Sequence, residues 1–419
     1  MMDLYFALMY ILAYIGLIAT SFYVINIFLY YKNIPKPEPK TDKSVSIIIP
    51  AYNERKGIAR TIKSALSLDY PSENLEIIVV DDGSKDNTYK LAKKFESISS
   101  RVRVFSKPNG GKGSALNFGI LRAKGDIIVT MDADTFVKKD ALKIMVGYFY
   151  DEKVTSVSPS MGVYKPNGIW GRIVQIEYYM GVFLRKSFAT VNAIHITPGA
   201  FSAYRQSFFL EHGGFDERNL TEDLEVALRI QSKNGVIENA EDAVAYTFSP
   251  ESFRSLLYQR RRWYAGLVKN LWNYRKLFGF KHGPLGYLVL PVAVITVILS
   301  VVLTIYTFTR VLLQLADDII FLKSINFDFG GWIGFNTYLI QRFFYTLFSR
   351  PVFILAVLFL AMLAVYIHFS RKKMGYKEGV KINFVLFSLF YSLLFAFWWI
   401  VSFIYISLNR KVSWREGLG

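Results

Sequence analysis

The 419-residue sequence contains no cysteine. That absence excludes disulfides, thiolate metal sites and a cysteine nucleophile. Histidine is nearly as scarce: the four present (His195, His212, His282, His368) show no metal-ligand spacing. Acidic residues are also in short supply, 33 against 50 lysines and arginines, which leaves a formal charge of +17. Such an excess points to nucleic acid, an anionic membrane surface or an anionic substrate. No nucleic-acid-binding module is recognisable, and the basic residues gather beside apolar runs. A lipid surface and a phosphate-bearing substrate are therefore the expected partners, and nucleic acid is not.

What the sequence has in quantity is apolar length. Hydrophobic residues make up 52% of the chain and aromatics 16%. They concentrate at the N-terminus and in the last third. Leu4 to Tyr31, Pro284 to Leu315, Pro351 to Phe369 and Ile382 to Leu408 each reach the roughly 20 residues that cross a bilayer. The first run lacks a basic leader and is too long for a signal peptide, so it reads as an anchor. Basic residues lie before Pro284 (Arg260, Arg261, Arg262, Lys269, Arg275, Lys276, Lys281) and between Arg371 and Lys381. The positive-inside rule places both flanks, and the globular region with them, in the cytoplasm. Three C-terminal spans leave Arg410 to Gly419 outside, against the charge of Arg410, Lys411 and Arg415. Either Gly331 to Phe348 is a further span or one of the three is re-entrant.

Between these regions, short β-branched runs alternate with helical stretches. Val45 to Pro50, Leu75 to Val80, Val102 to Phe105 and Asp126 to Met131 are predicted strands. Arg55 to Leu68, Asp86 to Glu96 and Lys112 to Ala123 are predicted helices. Repeated strand–helix units imply a mainly parallel, Rossmann-like sheet with ligands beyond the carboxyl ends of its strands. The residues at those ends are polar: Ala51-Tyr52-Asn53-Glu54, Asp81-Asp82-Gly83-Ser84 and Asp132-Ala133-Asp134. Converging carboxylates call for a hard divalent cation. Lys107 to Asn117 is Gly-rich, carries two lysines and opens a helix, and its amides suit a phosphate. An Asp-Gly-Ser turn or a Gly-rich loop taken alone is an ordinary surface feature.

The ordered series IIIPAYNE (47–54), VVDDGS (79–84), KPNGGKGSALN (107–117), MDAD (131–134), TED (221–223) and QRRRW (259–263) resembles the family 2 inverting glycosyltransferases of GT-A fold. More closely, it is similar to the processive membrane synthases of cellulose, hyaluronan, chitin-type oligomers and poly-N-acetylglucosamine. The resemblance implies an α/β GT-A-like cytoplasmic domain joined to an α-helical transmembrane region. Its expected parts are a membrane helix at 1–35, the transferase at 40–250, an amphipathic interfacial region with QRRRW at 251–283 and further spans at 284–419. It places the uridine against Tyr52, Glu54 and Asp82 or Asp81, with Lys112 near the nucleotide. Asp132 and Asp134 then hold Mg²⁺ or Mn²⁺ on the diphosphate, and Asp223 serves as general base. Gln259 and Arg262 face the diphosphate. Trp263, Glu222 and the loop containing Gly199 and Ala200 face the acceptor; Ala200 replaces the serine of many relatives. Trp170, Ile173, Val174, Tyr178 and Phe183 imply a second interfacial helix.

Such a chain is expected in the plasma membrane, with several spans. It extends a polysaccharide from a UDP-sugar, UDP-N-acetylglucosamine ahead of UDP-glucose, and moves the polymer across. Membrane lipids and the oligosaccharide acceptor are its partners, and an accessory membrane subunit is left open. The alternatives are single-sugar transfer to a lipid such as polyprenyl phosphate, and a silent transport subunit. The intact motifs and the few charges in the spans weigh against the latter.

Overall fold

The computed structural model describes residues 4–33, 36–324, 340–341, 344–345, 351–375 and 379–408. The four predicted strands form as β1 (Val45–Ala51), β2 (Leu75–Asp81), β3 (Val102–Ser106) and β4 (Ile127–Met131). Ile47, Ile48, Ile49, Ile77, Ile78, Val79, Ile127 and Ile128 are all fully buried. An apolar run buried on both faces is what a parallel strand between two helical layers requires. The predicted helices appear as Ile58–Leu66, Thr88–Lys93 and Lys112–Ile120, each shorter than its sequence pattern.

Beyond β4 the sheet departs from the parallel expectation. It continues through β5 (Phe136–Val137), β6 (Val154–Val163), β7 (Phe201–Arg205) and β8 (Val236–Thr247) in the order β3-β2-β1-β4-β7-β6-β8-β5. Parallel pairing holds from β3 to β4, whereas β7 runs antiparallel to both β4 and β6. The sheet is therefore mixed. β7 enters from the edge at which β4 ends, so the segment before it, Thr197 to Ala200, lies beside Asp132. The Asp132 amide donates to the Ala200 carbonyl at 3.1 Å.

Two long helices join this sheet to the membrane region. Gly168–Ala189 is the expected second interfacial helix, but it does not simply lie on lipid. Ile173, Ile176, Tyr179 and Val182 pack with Val244 of β8 and with Ile367, Met374 and Phe387 of two apolar helices. Val174 packs with Val163, Leu256 and Trp398. It forms an internal layer between sheet and spans. Phe253–Asn273 carries the QRRRW element and opens on a reciprocal Ser252–Ser255 capping box. Arg260 and Arg261 are buried there, so these charges turn inward rather than toward headgroups.

Among the described residues, four helices are long and apolar enough to cross a membrane: Tyr5–Tyr30, Leu285–Ser324, Phe353–Met374 and Lys381–Ser407. The second exceeds its predicted length. Its 40 residues extend about 60 Å at 1.5 Å per residue, twice the ~30 Å hydrocarbon core. The further span considered at 331–348 and the tail from Arg410 fall mainly or wholly outside the described residues.

Candidate active site

The strand ends are knitted into one edge by short polar contacts. Asn53 takes φ +53°, in the left-handed region where asparagine is tolerated. That turn lets its amide donate to Ser84 Oγ at 2.8 Å while its Oδ1 accepts from the Lys85 amide at 2.7 Å. The Glu54 amide donates to Thr88 Oγ1 at 2.7 Å. Gly57 passes so close to the DxD turn that a Cβ there would sit 2.7 Å from the Ala133 carbonyl. Tyr52 and Glu54 thus stand on a loop clamped to the ends of β2 and β4.

The two aspartates ending β2 divide their work. Asp82 Oδ1 accepts from Lys107 Nζ at 2.8 Å and from the Gly110 amide at 3.0 Å; its Oδ2 accepts from the Gly111 amide at 2.8 Å. The Gly-rich loop does cradle an anion, but the anion is this side chain. That corrects the expectation that those amides wait for phosphate: Asp82 lies at the adjacent strand end and reaches them first. Asp81 Oδ2 accepts from the Ser84 amide and Ser106 Oγ, both at 3.2 Å. Asp81 Oδ1 is buried and has no partner among the described residues. A buried carboxylate oxygen left over in this way is a ready acceptor for a ligand N–H.

Lys112 opens the next helix and stands at the centre of the site. Its Nζ lies 2.7 Å from Asp132 Oδ1 and 2.9 Å from Glu222 Oε1. Burial opposes its charge, but Asp132, Glu222 and Asp223 together hold its pKa above the usual lysine value. Asp134 lies across the DxD turn. Burial first, then the Asp132 charge, push its carboxyl up to about 6. Among the described residues no three acidic or imidazole groups converge as a complete metal shell. Asp132 and Asp134 nonetheless form an all-oxygen pair in which one carboxylate resists ionising beside the other, a donor set suited to a hard divalent cation.

Glu222 and Asp223 begin the helix Glu222–Ser232. Asp223 Oδ2 accepts from the Gly199 amide at 3.2 Å and Oδ1 from the Leu224 amide at 2.9 Å, while Thr197 Oγ1 donates to the Asp223 carbonyl at 2.9 Å. Burial and the neighbouring Glu222 raise its pKa to about 6, against Lys112 and Arg262. Burial would also raise Glu222, but Lys112 and then Arg262 keep that carboxyl below its usual value. Two adjacent carboxylates are driven apart, and the one with the raised pKa can exchange a proton near neutral pH. Gly199 is dictated by space: a Cβ there would meet Lys112 Nζ at 2.8 Å and Asp223 Oδ2 at 3.4 Å. At Ala200 the contact to the DxD strand is made by the backbone, which any side chain would allow.

On the Phe253–Asn273 helix, Gln259, Arg262 and Trp263 share one face by their i, i+3, i+4 spacing. Arg262 Nη1 donates to the Leu220 carbonyl at 2.9 Å, and its charge reaches Glu222 and Asp223. Sequence reasoning missed the neighbour that holds this segment. Arg260 is buried, pairs with Glu177 at 2.7 Å, and stacks over Trp263 at 4.3 Å from the ring centre. Glu177, the lone charge in the mainly apolar stretch from Ile173 to Phe183, was the signal for it.

Residues 46–213 match the model of glycosyl transferase family 2. The chain is 31% identical over 235 residues to a poly-β-1,6-N-acetyl-D-glucosamine synthase of Staphylococcus aureus, covering 55% of this chain and 57% of the relative. It is 30% identical over 244 residues to the synthase of the same name from Staphylococcus epidermidis, covering 57% and 59%. The match thus spans under two thirds of the length of these curated relatives. In fold, the chain is similar to a mannosyltransferase from Pyrobaculum calidifontis solved with GDP-Man and Mn²⁺. The TM-score is 0.56 at 21% identity, covering 88% of this chain and all of that one. The mixed sheet has the GT-A-like architecture, flanked by long apolar helices, and residues 46–213 are similar to the glycosyl transferase family 2 domain.

Proposed function

We propose that this chain is a membrane-bound inverting glycosyltransferase that extends a polysaccharide by one sugar at a time from a UDP-sugar, UDP-N-acetylglucosamine ahead of UDP-glucose. The observation that carries the reading is Asp223. It is a half-buried carboxylate with its pKa raised to about 6, held by Gly199 beside Lys112 and the DxD pair. In the proposed step the acceptor hydroxyl attacks the anomeric carbon while the bond from that carbon to UDP breaks. Asp223 takes the hydroxyl proton, and the configuration inverts.

Asp81, with its free Oδ1, receives the uracil N–H, taking the role that the sequence gave first to Asp82. Asp132 and Asp134 would hold Mg²⁺ or Mn²⁺, which when bound supplies Lewis-acid stabilisation of the leaving diphosphate. Gln259 and Arg262 hold that diphosphate, and Glu222, Ala200 and Trp263 border the acceptor. Support for the polymer product comes from the staphylococcal relatives, and support for the metal from the Mn²⁺ of the mannosyltransferase. The transferase faces the cytoplasm, and the spans conduct the product outward.

The test is incubation of the purified protein in nanodiscs with a panel of UDP-sugars and Mn²⁺ or Mg²⁺, reading UDP release and product size together. Donor-specific release with a polydisperse polymer, abolished by Asp223→Asn, supports the reading. A single-addition product overturns its polymerase part.

A further inference from the structure

Arg262, Gly266 and Asn270 stand at i, i+4 and i+8 on the Phe253–Asn273 helix and so form one stripe along it. The stripe meets the segment Asn219 to Thr221, which leads directly into Glu222 and Asp223. Arg262 Nη1 donates to the Leu220 carbonyl at 2.9 Å. Gly266 is buried against the next residue: a Cβ there would lie 2.3 Å from Thr221 Oγ1 and 2.7 Å from its Cγ2. Asn270, fully buried, completes the stripe. Its Nδ2 donates to Asn219 Oδ1 at 3.1 Å and to Thr221 Oγ1 at 3.0 Å, and its Oδ1 accepts from Asn219 Nδ2 at 2.8 Å. Asn219 Oδ1 also accepts from the Thr221 amide, at 3.1 Å.

Thr221 is the N-cap of the Glu222–Ser232 helix, where a threonine hydroxyl ordinarily accepts from an amide of the first turn. Here its side chain makes no cap bond; the hydroxyl accepts from Asn270, and Asp223 Oδ1 serves the Leu224 amide. A local cap has been replaced by a tie to another helix. Asparagine is also a poor helix former, and burying its amide is unfavourable unless the N–H groups and the oxygen all find partners. An aliphatic residue at this depth would need none of them. Both departures act on the same short segment. On the reading above, Arg262 holds the leaving diphosphate and Asp223 takes the acceptor proton, at the two ends of one displacement. Their separation depends on where Thr221 sits against the helix, which Gly266 allows to be close and Asn270 locks.

We propose that Asn270 is a positioning residue for the transfer step: through Asn219 and Thr221 it fixes the start of the Glu222–Ser232 helix, and with it Asp223, relative to Arg262. It touches no substrate itself, and the inference rests on the transferase reading. The test is steady-state UDP release by the full chain in nanodiscs, for the parent, Asn270→Ala, Thr221→Val, the double variant and Thr221→Ser. Asn270→Ala is expected to lower kcat by about 10²-fold while KM for the UDP-sugar stays within about threefold, because geometry rather than donor binding is lost. Thr221→Val, which keeps the shape but not the hydroxyl, behaves alike. The double variant falls little below the worse single one, since the two residues form one tie. Thr221→Ser keeps the hydroxyl and retains much more turnover than Thr221→Val. If Asn270→Ala does not fold, the contrast between Thr221→Val and Thr221→Ser decides. An unchanged kcat, a loss in KM alone, losses that multiply in the double variant, or a Thr221→Ser as slow as Thr221→Val overturns the proposal and leaves the transferase reading standing. A parent that turns over no UDP-sugar overturns that reading and the proposal with it.

Discussion

At Asp223 two like-minded influences, burial and Glu222, work against Lys112 and Arg262, and the outcome is a carboxyl titrating near 6. A base must be unprotonated to act, so kcat/KM should fall tenfold per pH unit below about 6 and level off above it. A pH profile on the free enzyme checks this, and a limb near 4 would remove Asp223 from the role. Asp223→Asn keeps the shape but not the proton affinity, and turnover should drop by about 10²–10⁴-fold with UDP binding retained. Gly199→Ala tests the packing. Lys112 Nζ is pinned by two carboxylates and cannot retreat freely from a Cβ 2.8 Å away. Turnover is expected to fall at least roughly tenfold, since sub-ångström misplacement of catalytic groups is costly, while the melting temperature changes little.

Among the elements, the helices Gly168–Ala189 and Phe253–Asn273 are locked by the Arg260–Glu177 pair, and the Tyr391 phenol of the last span hydrogen-bonds the same carboxylate. Glu177→Gln leaves the Arg260 charge buried and unmatched. A loss of about 3–5 kcal/mol is expected for a broken buried pair, seen as a lower melting temperature and an altered tryptophan emission from Trp263. An unchanged melting curve would mean that aromatic stacking alone holds the helix. This pair also marks where sequence reading stops. The strands β1 to β4 were legible because a parallel strand buried on both faces must be a continuous apolar run. The polar strand ends were legible because a sheet edge collects them. Nothing in the local pattern ties Glu177 to Arg260, 83 residues on, or Lys112 to Glu222. The partners of Asp82 were hidden for the same reason: they lie on a loop whose path only the folded sheet fixes.

At the scale of the whole molecule, the 40-residue helix Leu285–Ser324 is the element against which the level of a bilayer can be tested. Near its start, Leu285, Val289 and Leu290 pack with Phe183, Ala193 and Leu224, against the transferase domain. Further along, Tyr306 stacks on Tyr5, at the other end of the first helix, with ring centres 5.2 Å apart. From Leu285 to Tyr306 the helix rises about 32 Å, close to the ~30 Å hydrocarbon thickness. Asp317 and Asp318 then stand more than one further turn out, exposed, where charge lies outside a bilayer's core. The natural absence of cysteine makes single-cysteine labelling clean. In intact cells a membrane-impermeant maleimide is expected to modify Asp317→Cys, and to reach Lys153→Cys on the transferase domain only after permeabilisation. If Lys153→Cys reacts first, the positive-inside assignment is inverted. If neither reacts until the cells are opened, the helix does not cross where Tyr306 meets Tyr5, and the route of a product from Asp223 outward must be redrawn.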